Sequence, residues 1–148
     1  LDGICITDHD SMGLKEFAAE YSEKTGFPIF VGIEFYSLQG DIVAFGIEDY
    51  PKERIPAQEF VDLVQAQGGM CFSAHPFRNN NRGLEENLKI VKGLDGIEVL
   101  NGSTLYEANR KAAEYAAGTL CNVFSKRDPF GTGTDPECKT MRDSSGVL

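Results

Sequence analysis

Short apolar runs alternate along the chain with longer stretches whose apolar residues recur every three or four positions. GICIT (3–7) is apolar and rich in β-branched residues, the signature of a strand buried on both faces. The stretch 12–24 places Met12, Phe17 and Tyr21 on one stripe with Glu and Lys between them, which predicts a helix. Asp10 or Ser11 can cap its start, and Gly26 with Pro28 stops it. PIFVGIEF (28–35) and DIVAFGI (41–47) predict a second and a third strand, and LQGD between them suggests a hairpin turn. Residues 57–67 predict a helix with Phe60, Val61, Leu63 and Val64 inward and Gly68-Gly69 as its stop. MCFSA (70–74) is a strand ending on His75-Pro76, followed by a polar loop, NNNRG (79–83). A helix is expected over 84–92, with Leu84, Leu88 and Val91 on one face. GIEVL (96–100) is a further strand, and 104–117 a helix rich in Ala, Glu and Lys. CNVF (121–124) is the last candidate strand. Beyond it no period is sustained, so 1–124 is expected to be the folded unit and 125–148 an irregular or mobile tail.

Strands alternating with helices imply a parallel sheet or barrel, and in such folds reactive side chains gather at the C-terminal ends of the strands. The polar residues that follow the apolar runs are Thr7, Asp8 and His9, then Glu34, then His75, with Glu98, Asn101 and Asp128 after the later ones. Both histidines of the chain fall at these positions. Imidazole and carboxylate recurring on one rim are the donor set of zinc, manganese and iron sites. Singly, each has a plainer reading. His9 could cap a helix, Glu34 could be an exposed strand-end carboxylate, and His75-Pro76 could be a turn.

Composition narrows the picture. The 148 residues are the length of one domain, and 41% apolar content suffices for a core. A net charge of −9 argues against a nucleic-acid or anionic-membrane surface, both of which want a basic face. No run approaches the apolar length that spans a bilayer. The four cysteines lack C-x-x-C spacing, so zinc-ribbon and thioredoxin-type readings fail, and reduced thiols in a cytoplasmic protein are expected. The chain opens on a strand-like run with no basic leader, which leads us to expect an incomplete product of a longer gene.

TDHD after a strand, GIE at the end of the next and AHPFR at the end of a later one resemble the motifs of the PHP (polymerase and histidinol phosphatase) domain family, in order and spacing over roughly residues 1 to 117. GLDGIEVLNG resembles the segment that commonly follows the AHP motif. The resemblance implies an α/β fold, here an incomplete distorted (β/α)7 TIM-like barrel of the PHP type. It further implies two or three divalent metal ions (Zn, Mn or Fe) at the rim of a complete member, which hydrolyse phosphoesters through metal-activated water. Carried over, His9 would ligate one metal, Glu34 would bridge two, and His75 would bind one of that pair. Asp128 would be a further ligand, Asp8 a supporting group or proton relay, and Arg78 a phosphate clamp. The family's first motif, H-x-H, has no counterpart. Asp41 and Ile42 stand where a histidine is often found, and Phe130 stands where the last motif has its histidine. A truncated or weakened metal-dependent phosphoesterase is therefore expected, with an inactive PHP-like binding module and an amidohydrolase-type metal hydrolase as alternatives. The expected partner is a small phosphorylated substrate, with no nucleic acid and no membrane. Unpaired strand edges make a dimer the expected form of any self-association.

Overall fold

The computed structural model describes residues 1–119 and 122–126, and the side chains of 1–118. Six strands form one sheet in chain order: β1 (Ile4–His9), β2 (Ile29–Tyr36), β3 (Asp41–Phe45), β4 (Met70–Ser73), β5 (Gly96–Asn101) and β6 (Asn122–Lys126). Three helices, α1 (Lys15–Thr25), α2 (Ala57–Ala66) and α3 (Tyr106–Thr119), lie between them in sequence. The architecture is mixed α/β, and the sheet curls into a half-barrel compatible with a partial TIM-like fold.

The sheet is not wholly parallel, as the alternation had implied. β1–β2, β4–β5 and β5–β6 are parallel, but β3 runs antiparallel to both β2 and β4. The cause is the four-residue link 37–40, too short for the crossover that a parallel pair requires. Ser37 closes this turn, donating from its hydroxyl to the Gly40 carbonyl at 2.6 Å.

Strand alternation sorts side chains onto two faces. Ile33, Phe35, Ile42, Ala44, Cys71, Ile97 and Val99 form one core with Phe60, Val61 and Val64 of α2 and Ala112 and Ala116 of α3. Phe35 and Phe60 stack with centroids 4.1 Å apart. Burial pushes the Cys71 thiol up to about 12, which keeps it an inert apolar filler. The opposite face lines a cleft that holds Thr7, Glu34, Phe45, His75 and Glu98.

Four local expectations are corrected. The α1 stripe is not Phe17 and Tyr21, which are 60% and 42% exposed; the helix instead buries Ala18. Neither Asp10 nor Ser11 caps α1, whose N-cap position is Leu14. Asp10 Oδ1 instead accepts the Tyr36 N–H, and Ser11 Oγ accepts that of Gly13. The expected helix over 84–92 is a 3₁₀ segment, Glu85–Lys89. The Asn87 side-chain amide donates to the Leu84 carbonyl, which already accepts the Asn87 backbone N–H, so the acceptor that α-helical bonding needs is taken. Leu84, Leu88 and Val91 are buried all the same. β1 is also less buried than its composition suggests, with Cys5 exposed, because it pairs with β2 on one side alone among the described strands.

Candidate metal centre

The reversal of β3 shapes the rim. β1, β2, β4 and β5 bring their C-terminal ends to it, whereas β3 brings its first residue. Asp41 therefore arrives beside the end of β2, in register with Tyr36. His9 is in register with Glu34 across the β1–β2 pair. His75 follows β4, and Glu98 sits in β5 beside it.

Glu34, Asp41 and His75 are 5%, 0% and 6% exposed, and each offers a ligand atom to a group lying within 4.8 Å. His75 Nε2 is 3.0 Å from Glu34 Oε1 and 3.5 Å from Asp41 Oδ2. Two donors on one zinc-sized ion, each about 2.1 Å away, stand roughly 3.0 Å apart at a right angle and about 3.4 Å apart in a tetrahedron. The spacing suits a shared cation. So does the hydrogen bonding. His75 Nδ1 is buried and has no partner among the described residues, as does the Ser73 hydroxyl. If the ring proton sits on Nε2, one N–H serves two carboxylates and Nδ1 is left as an orphan acceptor. If it sits on Nδ1, a lone pair faces two carboxylates, which a bound cation would relieve. Two carboxylates and an imidazole are a chemically suitable donor set for a divalent metal, whose identity they leave open.

The His75 backbone is held in a sparsely populated conformation, φ +27°. Glu98 Oε2 accepts its N–H at 2.7 Å, and Asn101 Nδ2 donates to both Glu98 oxygens at 3.1 and 3.2 Å. The loop 79–83 presses on it from outside. A Cβ on Gly83 would lie 2.3 Å from the Pro76 carbonyl oxygen, so only glycine fits there.

Arg82, which the sequence reading passed over, closes the cluster. Its Nε and Nη2 donate to Asp41 Oδ2 and Oδ1 at 2.7 and 2.9 Å, and Nη2 also meets His9 Nδ1 at 3.3 Å. The two partners respond differently. The pair raises the Arg82 pKa, as an ion pair should, whereas the Asp41 carboxyl is also raised, because burial outweighs the guanidinium. The Arg82 side chain keeps 30% of its exposure and so loses less hydration than its fully buried partner.

The remaining candidates are placed as follows. His9 Nδ1 is 3.9 Å from Glu34 Oε1, with the histidine side chain 63% exposed. Asp8 is in register with Ile33, whose side chain joins the helix-facing core, so alternation turns Asp8 away from the cleft that Thr7 lines. Arg78 is half-buried and donates its backbone N–H to the His75 carbonyl, but no hydrogen bond of its guanidinium to the cluster is found among the described residues. Asp128 lies outside the described residues.

No protein family model matches the chain. An uncharacterized protein of Methanocaldococcus jannaschii is 26% identical over 102 residues, 68% of this chain and 58% of that protein. The chain thus spans a little over half the length of that relative. Among solved structures, a chain from Bifidobacterium adolescentis, provisionally described as a metal-dependent phosphoesterase, superposes with a TM-score of 0.62 at 19% identity, covering 95% of this chain and 85% of that one. An amidohydrolase from Chromobacterium violaceum, solved with bound sulfate and no metal, gives a TM-score of 0.68 at 20% identity over 90% of this chain and 79% of its own. The chain shares its fold with proteins so described. Within that fold it holds a buried Glu34–Asp41–His75 group with the chemistry of a metal site.

Proposed function

We propose that the chain carries the rim of a metal-dependent phosphoesterase of the PHP type. The convergence of Glu34, Asp41 and His75 within 4.8 Å in a buried cluster is the observation that carries this reading. Asp41 thereby takes the place that the resemblance gave to a histidine. His75, Glu34 and Asp41 would hold a divalent ion, Asp128 is proposed as a further ligand, and His9 is proposed as a ligand of a second position. Such an ion supplies concentrated positive charge for phosphate oxygens and lowers the pKa of water to near neutrality.

The chain's own groups have separable tasks. Glu98, fixed by Asn101, holds the His75 backbone and so aims its imidazole. Burial of Glu34 and Asp41 keeps competing water off the carboxylates and strengthens their attraction for a cation. Arg78, on the turn that follows His75, is proposed to hold a phosphate oxygen. Asp8 is proposed as a proton relay, a role that needs substrate or solvent to link it to the cleft. The substrate class is a small phosphorylated molecule. The acidic surface gives no support to a nucleic acid partner.

An amidohydrolase reading is supported by the Chromobacterium violaceum likeness. The two separate in one assay. The full chain, loaded with Mn or Zn and checked by elemental analysis, is offered 4-nitrophenyl phosphate and a 4-nitroanilide amide. Metal-dependent release from the phosphate alone is expected. Release from the amide alone would favour the second reading, and neither release nor bound metal would overturn both.

A further inference from the structure

Arg82 is held on every side. Its backbone carbonyl accepts the Asp41 N–H at 2.6 Å, and its own N–H donates to Asn80 Oδ1 at 3.1 Å. Its guanidinium bonds both Asp41 oxygens and lies 4.1 Å from the centroid of the Tyr36 ring. Arg54 covers the same ring at 3.7 Å, so Tyr36 is flanked by two guanidinium groups. One residue therefore meets Asp41 through both backbone and side chain. A long side chain loses about 2 kcal/mol of rotamer freedom when fixed in one pose, and here several contacts share that cost. The pose is part of the fold.

That pose puts a positive charge among donors that suit a metal. Arginine only donates, so the Arg82 contact turns the Nδ1 lone pair of His9 toward the guanidinium. Glu34 Oε1 stands 3.9 Å from the same nitrogen. Two donors sharing an ion at about 2.1 Å lie at most roughly 4.2 Å apart, so this pair also fits one cation. With Arg82 wedged between His9 and Asp41, His9 stays outside the 4.8 Å group of Glu34, Asp41 and His75. His9 is also the exposed member, on a strand with one described neighbour, so burial does not fix its side chain.

We infer that Arg82 is a built-in cation that keeps a second divalent-metal position, formed by His9, Glu34 and Asp41, closed. Guanidinium and metal ion carry charge of the same sign and compete for the same Asp41 oxygens. The inference rests on reading Glu34, Asp41 and His75 as a metal site, because the two positions share both carboxylates. Its consequence is stoichiometric: the unaltered chain takes one ion where its donors could take two.

Counting bound Mn²⁺ by electron paramagnetic resonance tests this on the full chain, with far-UV circular dichroism melts confirming that each variant is folded. Arg82→Gln keeps a hydrogen-bonding head without the charge, and Arg82→Ala removes the wedge entirely. The unaltered chain is expected to bind one Mn²⁺ and a folded Arg82 variant two. Adding His9→Ala should abolish the gain, which a merely structural role for Arg82 would not require. One ion in both the unaltered and the variant chains would overturn the inference and leave the metal-site reading standing, as would two ions in the unaltered chain. A gain that persists without His9 would overturn it too. Binding that appears only in the Arg82 variants would overturn the inference in this form, because the unaltered chain would then lack the first ion, and would remove the metal-site reading for the unaltered chain. No binding by any folded form would overturn both.

Discussion

The two sides of the rim are built differently. On the β2–β4 side, Glu34, Asp41 and His75 are each less than a tenth exposed and are locked to one another, to Glu98 and to Arg82. On the β1 side, His9 is 63% exposed at the side chain and sits on a strand with one described neighbour, placed by its register with Glu34 and by a single contact to Arg82. Buried donors that are hydrogen-bonded from several directions are fixed before any ligand arrives. An exposed donor on an edge strand must be recruited. The difference separates the part of the site that the fold itself maintains from the part that depends on what binds.

The largest effect expected is at Asp41. Asp41→Ala removes the partner of a paired guanidinium and opens a hole at a fully buried position, at a cost of about 3 kcal/mol; the low end of the range for a broken buried pair applies because Arg82 reaches water. Urea unfolding at unchanged m-value would measure it, and a loss under 1 kcal/mol would show that the buried side is not locked. Asp41→Asn isolates the charge. Burial raises the Asp41 carboxyl above its ordinary range, so the folded chain keeps that proton to higher pH than the unfolded chain. Stability relative to the Asn variant should therefore fall as pH rises from the ordinary carboxylate range through the raised value, then level off.

His75→Ala comes next. Loss of the central imbricated donor should weaken Mn²⁺ or Zn²⁺ binding by at least about 100-fold, equivalent to roughly 2.7 kcal/mol, as isothermal titration would read. Glu98→Gln should be milder. It retains an acceptor for the His75 N–H but loses the charge, and a supporting residue of this kind is worth about 10-fold to 100-fold in metal affinity. If Glu98→Gln matched His75→Ala, Glu98 would be a ligand and not a support.

These residues differ in how legible they were in the sequence. His9, Glu34 and His75 could be picked out because each follows or ends an apolar run on a strand entering the rim, and the structure brings Glu34 and His75 into one buried group. Asp41 was seen only as a missing histidine. Looking for polar residues after apolar runs presumes parallel strands, and on the reversed β3 the rim residue comes first. The signal was present: the LQGD hairpin predicts a reversal, and a reversed strand presents its opening residue where its neighbours present their last. Arg82 carried no such signal. Arg78 and Arg82 lie in one polar loop, and nothing in their local sequence says which guanidinium turns inward. That is decided by the approach of Gly83 to the Pro76 carbonyl within the loop and by the Arg82 carbonyl's bond to Asp41, a contact between segments far apart in sequence. The helix stripes failed in a similar way at α1, where Ala18 packs and the larger Phe17 and Tyr21 face out.

The smallest effect is expected at His9, and it is the sharpest test of the comparison. His9→Ala removes a side chain that is mostly in water, leaves the Arg82–Asp41 pair intact and leaves β1 paired through its backbone. Its folding stability should change by no more than about 0.5 kcal/mol, and the affinity of the first metal ion should stay within about threefold of the unaltered chain, because the Glu34–Asp41–His75 group does not include it. Urea unfolding and metal titration of the one variant read both quantities. A stability loss above 1 kcal/mol would mean that the His9–Arg82 contact anchors the edge strand. A large loss of the first ion's affinity with stability intact would mean that His9 swings in and ligates even while Arg82 is present. Either result would erase the boundary between a side of the rim fixed by burial and a side left to be recruited.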